Sequence, residues 1–110
     1  MKEMTIKQPE APKIKINGYD FQIRKTDIEI LRMVQEAQRK YEGRDISGID
    51  EAVEAASDLV EMIDGILGKG AVKKLTGREQ PGLAFSYKML AEIARGAVEA
   101  CAQALVETYE

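Results

Sequence analysis

Between Leu83 and Tyr109 the residues Lys88, Glu92, Arg95, Glu99 and Gln103 recur at helical spacing along one narrow stripe, and nearly everything else there is small or apolar. The pattern predicts one long helix, and its length constrains the rest of the fold. At a rise of about 1.5 Å per residue it measures roughly 40 Å. A compact chain of this size has a radius of gyration near ~13 Å and a diameter of roughly 34 Å. The helix therefore either crosses the whole body or projects from it. Ala91, Ala94, Gly96, Ala97, Ala100 and Ala104 let other backbones approach closely on more than one side. Two explanations stand: a central core helix, or a helix whose surplus apolar circumference is partly a subunit interface, with Ala97 as the residue expected to touch the partner.

With 110 residues the chain forms one domain with a modest core. Hydrophobic residues make up 45% and charged residues 32%, a globular balance without the apolar run that a membrane span needs, so no membrane partner is expected. Residues 1–12 are polar, contain Pro9 and Pro12, and lack an apolar h-region. They read as a flexible leader rather than a signal peptide, which points to an intracellular protein. Cys101, the single cysteine, has no partner for an intramolecular disulfide. The net charge of -3 gives no global basic field for nucleic acid, although residues 1–26 are net basic and the acid is concentrated further on.

The segment Lys13 to Ile23 alternates apolar and polar residues on both sides of Asn17-Gly18, a pair suited to the positive φ of a type I′ turn. A two-residue loop pairs Ile16 with Tyr19 and Ile14 with Phe21 on one face, and Lys15 with Asp20 on the other. A lone ribbon is marginal in water, so its apolar face must lie on helices or on another subunit. Thr26 and Glu29 have capping-box spacing, opening a helix over about Asp27 to Glu42. Ile30, Val34, Ala37 and Tyr41 form its stripe, Leu31 widens that stripe, and Gly43 is the stop.

Ser47 is the next N-cap, followed by a helix over about Gly48 to Leu67 with Ile49, Val53, Ala56, Val60, Ile63 and Leu67 inward. Gly68 and Gly70 end it, with at least one glycine at positive φ, and a short helical turn spans Ala71 to Leu75. Gly77 and Pro81-Gly82 form the loop before the last helix. The expected fold is thus mostly α: an N-terminal β-hairpin packed on a small bundle of three main helices plus a short helical turn, in one domain over residues 13–110.

Chemistry finds little purchase. There is no histidine, so the commonest general base and metal ligand is missing. Cys101 lies on the apolar side of a helix and reads as an inert buried thiol. Asp50, Glu51, Glu54, Asp58, Glu61 and Asp64 gather on the second helix, but their spacing is that of the solvent-facing complement of the apolar stripe. Gly65 to Gly70 is too short for a phosphate-binding loop, and no Ser or Thr follows Lys69. Lys69, Lys73, Lys74 and Arg78 make a local basic patch that a helix C-terminus favours on its own account. The aromatic residues are too scattered for a stacking platform. No catalytic residue, cofactor or metal is expected.

The segment Met62-Ile63-Asp64-Gly65-Ile66-Leu67-Gly68-Lys69-Gly70-Ala71-Val72-Lys73-Lys74-Leu75 resembles the helix end and glycine turn of siphophage tail assembly chaperones, especially those of Gram-positive hosts. The order of elements over residues 13–110 is similar as well. Without a charged C-terminal extension or a second domain, the chain corresponds to the short form. The resemblance implies a protein of the bacterial host cytoplasm that binds the tape measure protein, helps recruit major tail protein subunits, and does not enter the virion. No binding residue is transferred by the motif. From the residues themselves, Asp50, Glu54, Asp58 and Glu61 on one outer face and Lys69, Lys73 and Lys74 on the following turn form complementary patches through which copies could stack head to tail. A DNA-binding regulator, with the second and third helices as a helix-turn-helix, is the rival reading, and the acidic helix argues against it.

Overall fold

A computed structural model describes residues 1–41 and 48–109, with side chains up to Val106 at the C-terminal end. Strands β1 (Lys13–Ile16) and β2 (Tyr19–Gln22) are followed by helices α1 (Asp27–Tyr41), α2 (Ile49–Leu67), α3 (Ala71–Thr76) and α4 (Leu83–Tyr109). The fold is mostly helical, with the antiparallel hairpin, three main helices and the short α3 packed together. The helix end at Glu42, the stop at Gly43 and the cap at Ser47 lie outside the described residues.

The hairpin has the register that its two-residue turn dictates: Ile16 opposite Tyr19, Lys15 opposite Asp20, Ile14 opposite Phe21. Asn17 and Gly18 take φ of 51° and 83°, the two positive values of a type I′ turn. Its apolar face lies on helices of the same chain. Phe21 is buried, while Ile14 and Ile16 are half-buried against the core. A notch in α4 receives the ribbon: a Cβ on Gly96 would stand 3.0 Å from the Ile14 Cδ1 methyl, so a glycine there permits close approach. Where the strand exits, the Arg24 N–H donates to the Ile66 carbonyl at 2.8 Å, satisfying one of the free carbonyls at the end of α2.

Helix α1 starts on the expected capping box. The Thr26 N–H donates to Glu29 Oε1 at 3.0 Å, and the Glu29 N–H donates to Thr26 Oγ1 at 3.2 Å. Those bonds, the backbone one foremost, hold the Glu29 carboxyl below its ordinary range. Ile30 and Ala37 are buried and Val34 and Tyr41 half-buried, but Leu31 is 51% exposed and faces outward beside Ile28. Leu31 therefore does not widen the buried stripe: helix α4 and helix α2 cover only one side of α1.

Helix α2 departs further from the expected pattern. Its buried residues are Ala55, Ala56, Leu59, Ile63, Ile66 and Leu67. Val60 is half-buried, and Ile49 and Val53 are 81% and 52% exposed. The inward face is centred on Leu59, Ile63 and Ile66, and the first two turns of the expected stripe are left without cover. The main packing is α2 on α4, then α1 on α4, with Leu59, Ile63, Leu90, Ile93 and Ile30 at the centre. The radius of gyration is 16.3 Å and the extents are 62 × 31 × 18 Å, well beyond the ~13 Å radius of a compact chain of this length. The first half of helix α4 crosses the core, with Leu90, Ile93, Ala94 and Ala97 buried, and Leu105 and Val106 near its end are exposed. Residues 1–12 carry no helix or strand, and the later part of this leader flanks a trough with Ala100, Gln103 and Ala104 near the end of α4.

Candidate functional site

The turn joining α2 to α3 is built around Asp64. Its main-chain carbonyl accepts the Gly68 N–H at 2.7 Å, ending α2. Its carboxylate turns the other way and accepts the Gly70 N–H at 3.2 Å and the Val72 N–H at 3.0 Å, so it caps the free amides of α3. The chain can turn this sharply because Gly68 has φ of 117° and Gly70 has φ of 83°. The expectation of a positive φ at these glycines holds for both. Spacing groups Asp64 with a solvated acidic face; in the fold it is instead the residue on which the glycine turn is hung.

The basic side chains after the turn are partly engaged within the chain. Lys73 Nζ lies 3.6 Å from Glu79 Oε1. Lys74 Nζ sits 5.0 Å from the centre of the Tyr19 ring and 5.9 Å from that of Phe21, a cation held over the hairpin's aromatic face. Lys69 and Arg78 are exposed. The patch thus belongs to the junction of hairpin and α3, and its lysines differ in how freely they can meet a partner.

On α2, Asp50, Glu54 and Glu61 project outward and are exposed, as their spacing requires. Asp58 does not belong with them. It is half-buried at the flank facing α1 and accepts a hydrogen bond from the Tyr41 hydroxyl. Burial first, then that bond and the carboxylates of Asp58, Glu54 and Glu36, push the Tyr41 phenol well above its ordinary range. The acidic face starts at Asp50, roughly 25 Å along α2 from Lys69, and runs to Glu61, about two turns from the end of the helix.

Ala97 has no accessible surface and lies within the central cluster. As the expected contact residue of a subunit interface it is misplaced: α4 turns this position towards α1 and α2, and no partner can reach it. Cys101 is half-buried, and burial together with the Asp27 carboxylate pushes its thiol up, keeping it protonated. Among the described residues no three of Cys, Asp and Glu gather closely enough to hold a metal ion. No helix among them is long and apolar enough to cross a membrane.

What the surface offers is apolar area in separate places. A groove of about 300 Å³ lies between hairpin and α4, floored by Ile14, Ile16, Leu75, Met89 and Ile93 and edged by Phe85, with Lys88 and Glu92 on its rim. Ile28 and Leu31 form a second strip on α1, beside a shallow depression reaching Val34 and Gln38. Apolar side chains of another protein can dock on surface patches of this kind. The groove escaped sequence reasoning because it exists only where the ribbon docks on Gly96; no local signal announces it. No family model, curated protein or solved structure matches this chain.

Proposed function

We propose that this chain is a siphophage tail assembly chaperone, a non-catalytic, self-associating adaptor of the bacterial host cytoplasm that binds the tape measure protein and major tail protein subunits. The observation that carries this reading is the resemblance over residues 13–110: an Asn-Gly hairpin, a helix, a helix ending in Leu67-Gly68-Lys69-Gly70-Ala71, and a long final helix. The exposed apolar strip of Ile28 and Leu31 on α1 supports it, because it suits the apolar face of a helical client. The DNA-binding alternative is disfavoured by the exposed acids Asp50, Glu54 and Glu61 on α2, the first helix of the would-be helix-turn-helix.

In this reading the exposed acids Asp50, Glu54 and Glu61 of one copy meet the lysines beyond α2 of the next. Such a head-to-tail contact builds a ring or filament able to wrap an elongated client. Exposed ion pairs contribute only about 0 to 1 kcal/mol each, so charge guides assembly while apolar area grips the client. Lys69→Glu combined with Lys73→Glu is expected to reduce higher assembly of the purified chain in light scattering, and added salt is expected to do the same to the unaltered chain. Lys74 is left in place because it also braces the hairpin. Assembly indifferent to both treatments would refute this contact. The family reading itself is tested by gene order: it requires a major tail protein gene upstream and a very long tape measure gene downstream.

A further inference from the structure

The outward face of α4 carries four charges in a row. Lys88, Glu92, Arg95 and Glu99 are all exposed, and steps of four, three and four residues keep them on one side of the helix. Their signs alternate. Among the described residues no ion pair joins any of them to another or to the remaining chain. In two of the three neighbouring pairs the cation precedes the anion, which is the weaker order for pairing along a helix.

The spacing is symmetric, and the row is complementary to itself when reversed. Laid antiparallel on a copy with the two-fold axis level with the Ile93–Ala94 bond, Lys88 falls opposite Glu99 of the second copy and Glu92 opposite Arg95, each pair occurring twice. A parallel arrangement would set like charges against each other. The same axis sets Phe85 opposite Ala102, with Val106 one turn beyond; Phe85 and Val106 are 51% and 49% exposed. The alternating steps continue through these residues as a coiled-coil seam that is charged in the middle and apolar at both ends. Ala84 and Ala91 on one side of the row are exposed and short, and on its other side the hairpin lies across a groove from Lys88 and Glu92.

We infer that this face is where a second copy docks, α4 against α4, in an antiparallel two-fold contact. The inference deepens the self-association proposed above and rests on it, but it needs no tail protein. A contact of this kind closes on itself, so it makes dimers that the head-to-tail patches on α2 and the following turn can then string together. Because the middle of the seam is ionic and near solvent, the dimer is expected to weaken with salt.

Charge exchange tests the register. Glu92→Arg and Arg95→Glu are each expected to weaken the dimer of the purified chain about tenfold or more in sedimentation equilibrium, since each turns two attractions into repulsions. An equimolar mixture of the two single variants is expected to form a heterodimer at least as tight as the unaltered dimer. The double variant, with net charge unchanged, is expected to regain homodimerisation. Both positions are exposed, and circular dichroism verifies that each variant folds. Self-association of the unaltered chain that ignores both single reversals, or a mixture that fails to recover, would overturn the α4 contact while leaving the adaptor reading intact. A chain monomeric at every concentration would overturn both the contact and self-association, with client binding still judged by its own assay.

Discussion

Ala97→Glu is expected to unfold the chain rather than to loosen an assembly. The residue is completely buried within a cluster that includes Ile30, Leu59, Ile63 and Ile93. A carboxylate there meets methyl groups on every side and has no cation within the cluster, so burying it costs several kcal/mol at least, roughly the size of a small domain's entire ~5–15 kcal/mol stability. Circular dichroism should show loss of most helical signal at room temperature, or a melting midpoint lowered by about 20 °C or more. A folded variant melting within a few degrees of the unaltered chain would mean that α4 does not pack through this position.

Gly68→Ala is expected to be the more damaging of the two substitutions in the α2–α3 turn. Gly68 has φ of 117° and ψ of 154°, a region closed to residues with a side chain, and occupying it costs of order 1–3 kcal/mol. The added methyl would also stand 2.9 Å from Arg24 Nε, but that guanidinium is flexible and can move, so the backbone dominates the cost. Gly70 is in the milder left-handed region, with φ of 83° and open space where a methyl would go; its replacement by alanine should cost only about 1 kcal/mol. Urea unfolding of both variants should therefore rank Gly68→Ala below Gly70→Ala in stability, and the reverse order would contradict the turn described here.

Elements whose geometry is decided locally were readable from the sequence. Asn17-Gly18 selects a turn type, that turn sets the strand register, and the alternation then determines which residues share a face. The Thr26 and Glu29 cap is equally local, as is the glycine stop after Leu67. Features decided by where other elements dock were not readable. A helical period identifies an apolar side of α2, but whether Ile49 and Val53 are covered depends on how far α4 and α1 extend along it. Asp58 and Asp64 share the spacing of Glu54 and Glu61, yet lie at the flanks of the acidic face, where Tyr41 on one side and α3 on the other supply partners. Small residues misled most, because Ala91 and Ala97 look alike in sequence while one is exposed and the other is the centre of the core.

The same distinction bears on the candidate binding residues. Periodicity placed Asp50, Glu54 and Glu61 on the surface, and it aligned Lys88, Glu92, Arg95 and Glu99, because exposed charge follows the complement of the core face. The basic residues after α2 were found by proximity in sequence, which says nothing of Lys74 lying over Tyr19. Contact between the hairpin and α3 is long-range, and only the folded chain reveals that one of the lysines is engaged there.

Client capture is the property on which the whole account depends, and co-expression of this chain with a tagged tape measure protein from the same genome measures it directly. The account predicts that the chain co-purifies with the tape measure protein and remains bound at ionic strengths that dissociate its own higher assemblies, because apolar area rather than exposed charge holds the client. Failure to co-purify with either the tape measure protein or the major tail protein at any ionic strength, from a chain shown to be folded, would contradict it.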